Sequence, residues 1–256
     1  MPRHVELYLN GISLRSAAPK IWITEVTEEI DAQDMTTAIF PAWDGERQAR
    51  GVRRGLKVTV TAQIHQVHDL QARSAALDAI AAWVGSGGIL TASYRPGKRL
   101  RVIPTRMPCL GKVRDYTQEI ETELTAYAVP FWEDDAVTSV TGTAGAEGSL
   151  TLSLAGTHET PLDAEITAGG AVTALSLTAG GQTIALTGLS LAAGDTVTFE
   201  HTEDDFLVIR AGNTRLMDKR TAASADEILL GHGSNTVTWE ADASVTVTAK
   251  ARGRYE

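Results

Sequence analysis

A single cysteine, Cys109, in 256 residues rules out an internal disulfide and any zinc site built on several thiolates. Beside Pro108 and with no histidine near it in sequence, that thiol reads as a small buried apolar side chain rather than a nucleophile. Aromatic residues make up only 5% of the chain. Long apolar runs are missing too: none approaches the roughly 20 residues that a membrane-spanning helix needs. The opening Met1-Pro2-Arg3-His4-Val5-Glu6 has no basic segment followed by an apolar core. The expectation is a protein made in the cytoplasm, neither exported by a leader nor inserted in a membrane.

Catalytic signatures are equally scarce. Ser86 lies in Gly85-Ser86-Gly87-Gly88, which lacks the G-x-S-x-G elbow, and Leu90 stands where a dinucleotide fingerprint needs its third glycine. The stretch reads as a helix exit. His65 and His68 fall on opposite faces of a strand at their spacing, so with Asp69 they make a poor metal set. His4, His158, His201 and His232 are isolated and read as surface or turn residues. Glu203-Asp204-Asp205 lacks calcium-loop spacing and reads as a solvated turn. Glu133-Asp134-Asp135 reads as a solvated linker, not a carboxylate pair facing a cleft. No catalytic, cofactor-binding or metal residue is expected, and the chain is not read as an enzyme.

What the sequence does hold is an asymmetry. Residues 1–133 carry 16 Lys and Arg against 15 Asp and Glu, a net +1, whereas residues 134–256 carry 7 against 17, a net −10. So acidic a half disfavours nucleic acid as a partner. The length accommodates two domains, each with its own core.

Texture changes at the same place. In the first half, Val5, Leu7 and Leu9 alternate up to Asn10-Gly11, a strong hairpin signal, and Ile12 and Leu14 continue beyond it. Ile21-Trp22-Ile23 and Val26 predict a further strand, Trp43-Asp44-Gly45 a turn, and Val58, Val60, Ala62 and Ile64 a strand buried on one side. Leu70, Arg73, Leu77, Ile80 and Val84 recur at spacings of three and four, predicting one helix over 69–84, capped by Asp69 and ended by Gly85. A second hairpin follows, turning at Arg95-Pro96-Gly97-Lys98. From Glu119 to Val129, Ile120, Leu124, Ala126 and Ala128 face one way and Glu119, Glu121, Glu123 and Tyr127 the other, until Pro130 removes a donor. The second half is rich in Thr, Ala and Gly. Short strands are expected at 150–154, 172–177, 184–189, 197–199, 206–209, 237–239 and 245–249, with turns at Gly180-Gly181 and Gly212-Asn213, which spells a β-sandwich. The reading is mainly β: a domain over 1–133 with one helix packed on strands and closed by Trp132, then a sandwich over 134–256.

Three stretches, taken in order, resemble a known family: LYLNGISL; LDAIAAWVGSGGILTASYRPGKRLRVIPTRMPC; and YTQEIETELTAYAVPFWE, where a strand runs into an apolar-aromatic stop. Together with GDTVTFEHTEDDFLVIRAGNTRLM and GHGSNTVTWEADASVTVTAKARGRYE they are similar to the distal tail proteins (Dit) of long non-contractile-tailed bacteriophages. The resemblance covers essentially the whole chain. It implies a galectin-like second domain and a hexameric ring of the first, found at the virion tail tip of a phage or prophage. That ring would join the tail tube protein to tail-tip, receptor-binding or baseplate proteins. No nucleic-acid readout and no cofactor follow from it.

Basic residues gather twice, at Arg47, Arg50, Arg53, Arg54 and Lys57 and at Arg95, Lys98, Arg99, Arg101 and Arg106. The 95–106 hairpin, with Arg95, Lys98, Arg99 and Arg101, is the expected contact with a neighbouring subunit or tail partner, where opposite charge sets register. The alternative function is a carbohydrate-binding, lectin-like module for a host-surface glycan. Against it, the second half offers only Phe199, Phe206, Trp239 and Tyr255 for stacking, and Trp239 alternates with Val237 as a core residue would.

Overall fold

A computed structural model describes residues 5–18, 20–30, 37–39, 46–48, 55–65, 69–113 and 117–256. The expected turn at 43–45, His4, His68, Arg50, Arg53 and Arg54 lie outside the described residues. The chain is mainly β and divides into two compact units, Met1–Phe131 and Trp132–Glu256.

The first unit contains β1 (Leu7–Leu9), β2 (Ile12–Ser13), α1 (Leu14–Ala17), β3 (Ile21–Ile30), β4 (Thr37–Ile39), β5 (Glu46–Gln48), β6 (Leu56–His65), α2 (Leu70–Val84), β7 (Gly88–Ala92), β8 (Lys98–Val113) and β9 (Thr117–Ala126). Its main sheet is antiparallel in the order β2-β1-β7-β8-β9-β6-β3. Asn10 and Gly11 form the first turn with φ of 52° and 78°, as a two-residue hairpin with left-handed central residues requires. The Asn10 side chain also binds across the sheet, donating from Nδ2 to the Gly87 carbonyl (3.1 Å) and accepting from the Ile89 amide at Oδ1 (2.9 Å).

Alternation in β6 is complete, with Leu56, Val58, Val60, Ala62 and Ile64 buried. They join Leu7, Leu9, Leu90, Leu100, Val102, Ile120, Leu124 and Ala126 in the core. The helix lies where its spacing predicts. Asp69 Oδ1 accepts from the Gln71 amide (3.0 Å), and Gly85 leaves the helix at φ 48°. A β-carbon on Gly87 would come within 2.2 Å of the Val102 carbonyl oxygen, so only glycine allows the helix exit to approach β8 this closely. Arg73, Ile80, Trp83 and Val84 are buried, but Leu77 is only half-buried. The expected stripe is therefore interrupted at Leu77.

Two expectations fail in this unit. A second, four-residue helix, α1, is present, with Ser13 capping it by accepting from the Ser16 amide. And β9 ends at Ala126, leaving Tyr127 and Ala128 exposed, because its neighbour β6 begins at Leu56, the residue opposite Ala126. The ladder runs out of partner well before Pro130.

The second unit contains β10 (Trp132–Asp134), β11 (Thr138–Thr141), β12 (Gly145–Leu154), β13 (Thr160–Pro161), β14 (Asp163–Ala168), β15 (Val172–Ala179), β16 (Gln182–Leu191), β17 (Thr196–His201), β18 (Leu207–Ala211), β19 (Thr214–Arg215), a 3₁₀ turn (Met217–Lys219), β20 (Leu229–Leu230), β21 (Gly233–Ala251) and β22 (Arg254–Tyr255). The two strands expected at 237–239 and 245–249 are one 19-residue strand. The first half of β21 pairs with β12 and β15 and the second with β14 and β11, so a single strand serves two layers. One layer is β12-β21-β15-β16 and the other β11-β21-β14-β17-β18-β19. Between them lies one core, including Leu152, Leu177, Leu186, Ile166, Val197, Phe199, Ile209, Val237, Val247 and Trp239. This is the expected β-sandwich. The Trp239 ring rests on backbone: β-carbons at Gly142 or Gly148 would lie 2.3 Å from it.

Residues 133–135 are no linker. β10 pairs with β22, Trp132 opposite Tyr255 and Glu133 opposite Arg254, and Trp132 is fully buried. The Arg254 guanidinium, itself buried, donates to both carboxylate oxygens of Asp205 (2.9 and 2.7 Å) and from Nε to Glu133 (3.4 Å). Tyr255 donates to Asp134 (3.1 Å), and Arg252 Nη1 donates to the Asp134 carbonyl (2.8 Å) and to that of Asp135. Asp205, expected in a solvated turn, is thus an anchor, held at φ 63°.

Candidate assembly interface

The expected contact hairpin is built from the β7–β8 turn and the start of β8. Strand periodicity decides its two faces. Leu100 and Val102 enter the core, so Arg99, Arg101 and Ile103 emerge on the opposite face, with Thr91 beside Arg99, Ile89 beside Arg101 and Thr125 beside Ile103. Lys98, Arg99 and Arg101 are half-buried. Arg95 sits apart from them. Its Nη2 donates to Glu28 Oε2 on β3 (2.7 Å), which requires the sheet to curl until its edge strand meets the β7–β8 turn. Tyr94 shares that carboxylate, and burial together with the charge and hydrogen bonding of Glu28 pushes its hydroxyl pKa well above the usual phenol value. The turn is fixed within the chain, and Arg99 and Arg101 alternate with the buried Leu100 and Val102 along β8.

Sequence reasoning missed the apolar half of this surface. Ile103 is 49% exposed, Met107 50% and Tyr127 52%. The signal for Ile103 was present, since it keeps phase with Arg99 and Arg101 rather than with Leu100 and Val102. Farther along β8, Arg106 donates to Glu121 and lies 3.7 Å from Glu123, while Thr122 Oγ1 donates to the Arg106 carbonyl (2.7 Å). Cys109 is half-buried on this rim, not in the core, and its thiol faces the Glu121 carbonyl (3.9 Å). Irregular register between β8 and β9 around 104–109 keeps that segment at the surface.

His65 stacks edge-on against Trp22 (6.0 Å), and Arg15 lies over the same indole (5.8 Å). In the second unit His201 proves buried rather than superficial: Nδ1 is 2.8 Å from Asp163 Oδ1, and the His201 amide donates to the same oxygen (2.9 Å). A cleft of about 410 Å³ opens beside Leu189, Leu191, Asp195, Thr214, Leu216 and Lys219. No aromatic side chain lines it, Phe199 and Trp239 are buried in the core, and Phe206, 69% exposed, stands on a different loop. A sugar ring has no stacking platform in that cleft.

No family model matches the chain, and no curated protein matches it. Its fold nevertheless matches a solved structure. The SPP1 Dit protein, described as a paradigm of the hub adsorption apparatus in phages infecting Gram-positive bacteria, has the same fold. The likeness covers 97% of this chain and 98% of that one, with a TM-score of 0.73 at 12% identity. Two structures of the phage P2 baseplate in its activated conformation also match. The one with calcium covers 99% of this chain and 98% of its own (TM-score 0.48, 9% identity), and the one with strontium 97% of each (0.44, 8%).

Proposed function

We infer that this chain is a structural, non-catalytic hub protein of the distal tail of a phage or prophage. In this reading the first unit self-associates into a hexameric ring at the virion tail tip. The ring joins the tail tube to the tail-tip, receptor-binding or baseplate proteins, and the second unit is an appended sandwich available to those partners. Synthesis in the host cytoplasm accompanies it. The observation that carries the reading is the likeness to the SPP1 Dit fold over 97% of this chain and 98% of that one. The surface supports it. Of the nine large apolar side chains exposed among the described residues, seven belong to the first unit: Ile12, Trp22, Ile30, Tyr94, Ile103, Met107 and Tyr127. Such density, with arginines beside it, is the composition of buried protein contacts rather than of solvated surface.

Native mass spectrometry and negative-stain imaging of the purified full chain test the reading. Six copies of the 27.3 kDa chain give about 164 kDa and an annular particle. A protein that stays monomeric at every concentration, with and without added salt, overturns it.

A further inference from the structure

Between β19 and β20 the chain of the second unit runs as a strap along the edge strand β16. The Thr221 amide donates to the Ala185 carbonyl (2.9 Å) and the Ala225 amide to that of Thr183 (2.8 Å), while Ser224 Oγ donates to the Ala185 carbonyl and accepts from its amide (3.0 Å each). The last part of the strap leaves β16 for the segment leading into β14, where the Leu162 amide donates to the Ile228 carbonyl (2.9 Å). There Glu227 Oε2 comes within 3.9 Å of Nε2 of His201, the last residue of β17. The His201 side chain is only 5% exposed, against 40% for both Asp163 and Glu227.

Two carboxylates from remote elements thus flank one buried ring. Nδ1 donates to Asp163 Oδ1 (2.8 Å), which also accepts from the His201 amide (2.9 Å). That bond fixes the tautomer: in the neutral ring the proton sits on Nδ1 and Nε2 is a bare acceptor. Nε2 is buried without a hydrogen-bond partner, and the group it faces is a second acceptor. Such an arrangement costs free energy as it stands. A proton on Nε2 reverses the sign, because the new N–H can donate to Glu227 after a closing movement of about 1 Å. Asp163 and Glu227 are the charged groups facing the ring from the elements packed on it; Leu207, opposite on β18, is apolar, and Glu200, next to it on β17, pairs with Arg210.

We propose that His201 and Glu227 form a proton-operated latch: the imidazolium holds the end of the strap against the β14–β17 layer, and the neutral ring releases it. Asp163 is the positioning residue. It belongs to β14 rather than to the strap, so it turns Nε2 towards Glu227 whether the strap is closed or open. In the closed strap the Nε2 proton has Glu227 as its acceptor, and in the open strap it does not. Closing therefore takes up protons: it is favoured as pH falls through the range where an imidazole changes charge, about pH 5 to 8, and loosened as pH rises through it. The latch lies within the second unit and is independent of the hub reading.

Amide hydrogen exchange of the full chain at about pH 5.5 and about pH 8, corrected for the intrinsic pH dependence of exchange, tests this. Protection of the Leu162 and Leu229 amides, both bonded at the end of the strap, is expected to be about ten-fold greater at the lower pH, with the amides of β12 little changed. Glu227→Gln is expected to abolish the difference, because a side-chain amide can serve Nε2 with or without its proton. His201→Gln removes the titrating ring and is expected to do the same. Since that side chain is buried, circular dichroism checks its fold, and Glu227→Gln carries the test if it unfolds. His232→Gln, which changes an exposed histidine of the same unit, is expected to keep the difference. Equal protection at both pH values in the wild type, greater protection at the higher one, a difference that survives Glu227→Gln, or one lost in His232→Gln overturns the latch.

Discussion

The two units bury their interiors in similar ways and present opposite exteriors. The first is nearly neutral and leaves tryptophan, tyrosine, isoleucine and methionine side chains in contact with water. The second is strongly acidic and, among the described residues, exposes only Val137 and Phe206 of comparable size. Folding alone does not demand this difference, since both cores are closed. The first unit carries apolar area that a lasting contact would remove from water, at roughly 25 cal/mol per Å². The second carries a net negative charge that repels other copies of itself.

The comparison can be broken or sharpened by substitution, beginning with the largest effect. Trp239→Ala removes the indole filling the sandwich against Gly142 and Gly148 and is expected to cost about 3–5 kcal/mol. Urea unfolding followed by hydrogen exchange should place the loss in β21 rather than in the first unit. Arg254→Ala strands the Asp205 and Glu133 carboxylates and is expected to cost about 3 kcal/mol, again within the second unit. In the first unit, Ile80→Ala is expected to cost about 2–5 kcal/mol by thermal melting, and Leu77→Ala clearly less because Leu77 is only half-buried. Equal losses at the two sites would move the buried face of α2. Asp69→Ala removes the helix cap, for about 1 kcal/mol. Smallest is Phe206→Ser, expected to change stability by no more than about 0.5 kcal/mol and to leave native mass unaltered. If it dissolved the assembly while Ile103→Ser did not, the contrast between the exteriors would be reversed.

Much of the architecture was legible from alternation. The phase of Val58 to Ile64, the cap at Asp69, the turn at Asn10-Gly11 and the inward Val237–Trp239 pair were all readable. Readability failed where a residue's role is set by a partner remote in sequence. Glu133 and Asp134 look like linker charge until Arg254 and Tyr255 are seen beside them. His201 looks superficial until Asp163 reaches it. The 19-residue β21 was split because two strand-like runs were sought, yet Ala241-Asp242-Ala243-Ser244 holds neither glycine nor proline and keeps the alternation through the join. β14 was missed because its inward residues are Ala164, Ile166 and Ala168, too small to stand out. On the first unit's sheet, the outward face of the β9 glutamates could be read from the sequence alone. The faces of Glu25 and Glu29 could not, because a register shift between Ile23 and Glu25 reverses which side of β3 the odd-numbered residues take.

The pairing of β10 with β22 also orders events in time. Trp132 enters the second unit beside Tyr255, so the strand made first in that unit waits for one synthesised more than a hundred residues later. Until position 255 has left the ribosome, Glu133 and Asp134 lack their cationic and phenolic partners and that margin of the nascent sandwich stays unzipped. The nine strands of the first unit have all been made by Ala126, so that unit can fold while the second is still being synthesised.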